Sequence, residues 1–369
     1  MKRIVFLTGT RADFGHMKGL IDKVEHSPDF ECYVFATGMH LMKKYGFTFF
    51  EIVNLNYKNI YPCINQTDHT DLDIILSNTI LGFSNYENEE NPDHIVVHGD
   101  RVEALAGALV GSFNNIRVAH ISGGELTGTI DEFMRHAITK MSHIHFVANE
   151  EAKDRLTRMG ESKNSIFVIG SPEIDIMLSK NLPSLREVQK YYNIPFNEYA
   201  IFCYHPVTTE LSTLKQDIKE VVDALMASKR NYIVIYPNND PGSNIILNEL
   251  KRIETNSWVN IFPTMRFEYY LTLLKHCQFI IGNSSSGVRE AGVYGVPTIN
   301  IGTRQKNRSK IVTSIEPKKE TILHSIKEVA GQHHKPTFEF GKGGSCQKFY
   351  SILENKKTWN IPIQKQFVD

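Results

Sequence analysis

The feature that most constrains this chain is a recurring pattern. Short runs rich in Val, Ile and Phe end in glycine or a small polar residue, and longer amphipathic stretches separate them. One series reads "RIVFLTG", "ECYVFATG", "HIVVHGD", "RVAHISGG", "HIHFVAN" and "IFVIGSP". A second reads "YAIFCYHP", "YIVIYPN", "VNIFPT", "FIIGNSS" and "PTINIGT". The runs are apolar rather than alternating, so both faces of each strand are covered. Covered strands between helices form parallel sheets. The pattern therefore predicts an α/β protein in two halves. The 369 residues are too many for one ordinary core and suit two domains of about 150–200 residues each. In an open α/β sheet the ligand crevice lies beyond the carboxyl ends of the strands, so the polar run-ends predict a site.

Charge narrows the partners. Lys plus Arg and Asp plus Glu are balanced at 41 each, so no overall field favours nucleic acid or an anionic membrane. The five cysteines are scattered, with no C-x-x-C pair. That argues against zinc or a disulfide framework and for free thiols in a reducing compartment. The apolar run at the N-terminus, Ile4 to Leu7, stops at a Gly-Thr-Arg turn, which makes it a first strand and not a signal peptide. No run is long enough to span a bilayer. The expectation is a soluble, cytoplasmic protein. An inter-domain linker is expected near residues 172–195, and "NYENEENPDH" reads as a charged surface loop. The basic "TRQKNRSKIV" is either a phosphate site or a solvated loop. The last residues read as a helix, "CQKFYSILENKKTW", and a tail.

Several strand-end motifs carry chemistry. "TGTRADFGHMKGL" opens a helix, whose free N–H groups and partial positive charge suit an anion, with Arg11 as a charged fork. The plain alternative is an ordinary strand-to-helix turn. "IIGNSSSGVREAGVYGVP" places serines at a helix start, with Glu290 about two turns in, where it can accept both hydroxyls of a ribose. The alternative is a serine N-cap with a solvated glutamate. Asp100 in "HGDR" ends a buried strand, where an N-cap role competes with catalysis. His205 in "CYHPVTT" shares the predicted crevice rim. In "GTIDEFMRHAITKM", Met134, Ala137, Ile138 and Met141 recur at helical spacing as core. Asp131 stands at the helix start, where it can cap the helix or pair with Arg135 one turn on.

Together, "GTRADFG", "ATGMH", "HGDR", "HISGGELTGTIDE", "IGSPEID", "HPVTTE", "YPNND", "GNSSSGVREAGVYGVP" and "GTRQKNR" resemble the hydrolysing UDP-N-acetylglucosamine 2-epimerases of bacterial sialic-acid synthesis. The resemblance covers nearly the whole chain. It implies two Rossmann-like domains in a GT-B-like fold, with the ligand in the inter-domain cleft. The boundaries it implies are 1–178 for a domain carrying catalytic carboxylates, 179–344 for a UDP-binding domain, and 345–369 for a helix and tail returning to the first. The reaction implied is anti elimination of UDP from UDP-N-acetylglucosamine to give 2-acetamidoglucal, then hydration to N-acetylmannosamine. By the resemblance, Asp100 and Asp131 are catalytic carboxylates. Arg11, Arg101, His205, Asn238, Ser284, Ser285, Glu290 and Arg304 match UDP-binding positions, Phe262 lies where the base rests, and His40, His98 and His120 border the sugar. No metal or cofactor is implied. The partners implied are UDP-N-acetylglucosamine, UDP and further copies of the chain, as a homodimer or tetramer.

The chain departs from this family at Ser122. Where it reads "HISGGE", the family usually has a catalytic glutamate in place of the serine. A serine hydroxyl is no general base unless another group activates it. Three accounts follow: an engineered variant, a natural enzyme in which Glu125 or water does the missing job, or an impaired chain that only binds nucleotide sugar. A related hydrolysing epimerase acting on a UDP- or GDP-linked 2,4-diacetamido-6-deoxy sugar is the nearest alternative enzyme.

Overall fold

A computed structural model describes residues 1–68, 70–309 and 312–368. The chain forms two compact units. One comprises Met1–Glu125, Asp131–Leu178 and Phe340–Asp369; the other comprises Leu126–Ile130 and Ser179–Glu339.

The first unit is built on seven parallel strands: β1 (Lys2–Thr8), β2 (Phe30–Ala36), β3 (Asn59–Pro62), β4 (His94–His98), β5 (Arg117–Ile121), β6 (Ile144–Val147) and β7 (Ile166–Val168), in the order β3-β2-β1-β4-β5-β6-β7. The second has β8 (Ala200–Cys203), β9 (Tyr232–Ile235), β10 (Val259–Phe262), β11 (Ile280–Gly282), β12 (Thr298–Ile301) and β13 (Ser314–Ile315), ordered β10-β9-β8-β11-β12-β13 and again parallel. Each sheet starts in its middle and reverses direction once, between β1 and β4 and between β8 and β11. A reversal of this kind opens the crevice of a Rossmann-like sheet.

Both faces of each sheet are buried, as the continuous apolar runs require. On β1, Ile4 and Phe6 enter one core while Val5 and Leu7 enter the other. On β8, Ala200 and Phe202 face one core and Ile201 the other. All eleven runs form strands. The two strands that no run announced, β3 and β13, lie at sheet edges, where half-exposed residues suffice.

Two local expectations are corrected. The segment "NYENEE" is no loop: the helix Leu72–Glu90 runs through it, because Tyr86 is buried against Phe35 and Phe83. It ends at Asn91 in the left-handed region, φ 48°. The serine motif does not open one continuous helix. A 3-10 turn, Ser285–Gly287, precedes a five-residue helix that begins at Glu290. The Gly287 carbonyl there accepts the Thr298 hydroxyl (2.6 Å). The final segment is pinned along its length. Asp175 caps the helix Ser345–Glu354 by accepting from the Ser345 and Cys346 N–H groups (3.0 and 2.8 Å), and Phe349 is fully buried in the first unit's core. Beyond it, the Lys365 ammonium donates to the carbonyls of Thr139, Lys140 and Ser142. Lys310 and Ile311 of the basic segment lie outside the described residues.

Candidate active site

In the first unit the ends of β1, β4 and β5 converge at the reversal point. Thr10 caps the helix Arg11–Glu25, its hydroxyl accepting from the Asp13 N–H (3.1 Å), while one Asp13 oxygen accepts from the Gly9 N–H (3.1 Å). This resembles a capping box, except that the acid reaches past the cap Thr10 to the N–H of Gly9. The other Asp13 oxygen meets His98 Nδ1 at 3.0 Å. At the end of β5, Ser122 adopts φ 64°, which side chains other than glycine, asparagine and aspartate rarely do. Its N–H donates to the Phe146 carbonyl (3.0 Å), and its hydroxyl lies 3.3 Å from His98 Nε2. Two residues on, Gly124 is also left-handed, and a Cβ there would lie 2.5 Å from the Ala152 carbonyl oxygen.

Asp100 follows the next turn. Its carboxylate pairs with Arg135, which is buried in the helix Ile130–Met141 and also donates to the Glu125 carbonyl (3.1 Å). Of the two roles the sequence leaves open for Asp131, the pairing with Arg135 gives way to Asp100, which takes the guanidinium. Glu125 is buried, and Asp131 lies in the first turn of the helix.

The other residues predicted in this unit are held inside the fold. Arg11 donates from Nε and Nη2 to the two oxygens of Glu51, and Arg101 Nε meets the buried Glu103 (3.3 Å). His40 is fully buried between the hydroxyls of Thr8 (3.1 Å) and Thr48 (2.8 Å), and burial pushes its pKa down to about 4. His120 bridges Thr139 (3.1 Å) and the Gly99 carbonyl (2.8 Å), and burial pushes it down to about 3. Both rings are neutral at pH 7; His120 holds the Gly99 turn beside Asp100, and His40 ties the end of β1 to Thr48.

The second unit's reversal point has a different character. The His205 N–H donates to Asn283 Oδ1 (2.6 Å), and Asn283 Nδ2 returns a bond to the His205 carbonyl (2.9 Å). This reciprocal clamp joins the ends of β8 and β11. The Asn238 N–H donates to His205 Nδ1 (3.0 Å), so a neutral ring carries its proton on Nε2, 3.4 Å from Cys203 Sγ. Burial pushes the Cys203 thiol up to about 11, with Ser284 and Arg304 pulling the other way. His205, Ser284 and Arg304 thus gather around one strand end. A Cβ on Gly282 would lie 2.0 Å from the Cys203 carbonyl oxygen, so only glycine passes there. Ser284 caps the 3-10 turn that contains Ser285, and Glu290 begins the next helix, buried. Phe262 ends β10 with its ring edge-on to Tyr192, centroids 5.3 Å apart.

Sequence reasoning missed Asp13 and Arg135 as members of the first cluster. For Asp13 a signal was present: Thr10-Arg11-Ala12-Asp13 spells a capping box before a helix. For Arg135 none was, since its partner lies on another strand end.

The family model for UDP-N-acetylglucosamine 2-epimerase matches residues 22–354. The UDP-N-acetylglucosamine 2-epimerase of Neisseria meningitidis serogroup B is 45% identical over 375 residues, covering 100% of this chain and 99% of that protein. The UDP-N,N'-diacetylbacillosamine 2-epimerase (hydrolyzing) of Legionella pneumophila is 32% identical over 380 residues, covering 100% and 98%. Among solved structures, the Methanocaldococcus jannaschii UDP-GlcNAc 2-epimerase in complex with UDP-GlcNAc and UDP aligns with a TM-score of 0.81 over 96% of this chain and 99% of that one. Its identity is 22%, so that likeness speaks for the fold alone.

Proposed function

The chain belongs to the UDP-N-acetylglucosamine 2-epimerase family, and from that premise we propose that it is a hydrolysing member converting UDP-N-acetylglucosamine and water to UDP and N-acetylmannosamine for sialic-acid synthesis. The observation that carries the substrate is the 45% identity to the meningococcal enzyme along the whole chain. The hydrolysing outcome draws support from the full-length relative whose name states it.

In this reading the second unit takes the UDP. Ser284, Ser285, Arg304 and the Nε2–H of His205 meet the diphosphate, Glu290 accepts the ribose hydroxyls, and Phe262 lies against the base. The roles of Arg11 and Arg101 require their partners Glu51 and Glu103 to share them with substrate. The first unit carries the chemistry. The hydrogen at C2 is not acidic in the ground state and becomes removable as C1 gains positive character and UDP departs. Asp100 and Asp131 serve as the positioned acid and base groups, each contributing ~10²–10⁴-fold. Charge on the sugar is steadied by carboxylates already ordered in the fold, such as Asp100 on Arg135. The enzyme is cytoplasmic and homo-oligomeric in this reading. Among the described residues no helix is long and apolar enough to cross a membrane.

The test is product analysis. UDP-N-acetylglucosamine incubated with the protein should yield UDP and free N-acetylmannosamine in equal amounts. UDP-N-acetylmannosamine with no free sugar overturns the hydrolysing reading. The relative from Legionella pneumophila favours one competitor, a UDP-linked diacetamido sugar. Faster turnover of that substrate would transfer the assignment to it.

A further inference from the structure

The end of β5 holds a chain of hydrogen bonds that the proposed function has not used. Asp13 accepts from the Gly9 N–H through one oxygen and meets His98 Nδ1 through the other (3.0 Å). His98 Nε2 lies 3.3 Å from the Ser122 hydroxyl. A carboxylate only accepts, so Nδ1 carries the proton of a neutral ring and Nε2 accepts from the serine. Side-chain exposure is 9% for His98 and 11% for Asp13, low enough that the ring keeps its orientation. The backbone adds a second observation. Ser122 holds φ 64° at a strand end, where glycine would sit without strain but would offer no hydroxyl. A side chain kept in that conformation and aimed at a histidine held by an acid has the logic of an activated hydroxyl.

We propose that Asp13, His98 and Ser122 form a proton relay that supplies the base for the C2 proton in the elimination, leaving the acid–base work of hydration to Asp100 and Asp131, an inference that rests on the hydrolysing reading above. As UDP leaves, the C2–H electron pair becomes the C1–C2 double bond, and the C1–O pair departs on UDP. The C2 proton passes to the Ser122 oxygen while the serine's own proton passes to His98 Nε2. Asp13 faces the imidazolium that results. The imidazolium then gives its proton to solvent, which balances the extra negative charge on the released UDP. Hydration of the glucal from the opposite face, which sets the new configuration at C2, belongs to the carboxylates. Ser122 is the catalytic residue of the three, His98 holds the proton, and Asp13 is a positioning residue.

The relay differs from three independent contributions in how its losses combine. UDP release from UDP-N-acetylglucosamine is measured for the parent, Ser122→Ala, His98→Gln and the double variant, with UDP affinity by calorimetry reporting that each is folded. Each single change should slow release by ~10²-fold or more, and the double variant should be no slower than the worse single. Asp13→Asn, which keeps shape and removes charge, should lower kcat with KM unchanged. Losses that multiply in the double variant, or Ser122→Ala at the parent rate, overturn the relay while leaving the function intact. A parent that binds UDP and never releases it from the nucleotide sugar overturns the functional reading, and the relay with it.

Discussion

The two units share one strand order and differ in what they place at its reversal. In the first, titratable groups meet one another: Asp13 on His98, His98 on Ser122, Asp100 on Arg135. In the second, the ends of β8 and β11 are joined by amide and main-chain bonds between His205 and Asn283, beside serine hydroxyls and Arg304. The fold supplies a crevice twice, and the side chains divide the labour. In the proposed function one crevice moves protons and the other receives the diphosphate. The same contrast extends into the cores. Burial depresses His40 and His143 to about 4 and His94 and His120 to about 3, all within the first unit.

The division can be broken from either side. The largest effect expected is on turnover in the first unit. Asp100→Asn should lower kcat by ~10²–10⁴-fold while leaving an oxygen acceptor for buried Arg135, so product formation falls and the melting curve moves little.

Acid should come next, on the order of a few kcal/mol for each buried histidine. The unfolded chain takes up protons below about pH 6.5 that the folded histidines refuse until about 4 or 3. Their stabilisation is therefore full above pH 6.5 and declines as pH falls towards the folded values. Glu161 adds to this. Burial pushes its pKa up, but bonds from His145, Lys140 and Lys365 outweigh it and hold it at about 2, so its contribution is lost as pH falls from the unfolded value towards that figure. Each unit holds one tryptophan, Trp359 in the first and Trp258 in the second. Trp359, whose ring is 5.5 Å from His94, should report unfolding at a higher pH than Trp258 when each is observed in the variant lacking the other. Simultaneous transitions would remove the contrast.

In the second unit, Glu290→Ala should weaken UDP binding by ~1.5–3 kcal/mol through loss of a charged hydrogen-bond acceptor. Phe262→Leu should cost the least, ~0.5–1.5 kcal/mol of UDP affinity if the base lies against the ring. Both are read by calorimetry.

Most of the fold was legible because buried parallel strands announce themselves as continuous apolar runs. Edge strands do not: β3 is "NIYP", half exposed, and β13 has two residues. The helix Leu72–Glu90 hid its end for the opposite reason, since a charged surface around buried Tyr86 reads as loop. Candidate site residues were found where chemistry falls on a strand end, as with Asp100, Ser122 and His205. Pairings were not legible, because Arg135 and Asp100 are 35 positions apart, and Asp13 and His98 85 apart. The register of strands brings such pairs together, and no local pattern encodes it.

The division of labour is tested most directly by titrating UDP into Asp100→Asn in a calorimeter. The account predicts the parent's affinity, since in the proposed function UDP is held by the second unit together with Arg11 and Arg101, and Asp100 acts on the sugar. An affinity weaker by roughly tenfold, a change of about 1.4 kcal/mol, would contradict it and make Asp100 itself part of the nucleotide site.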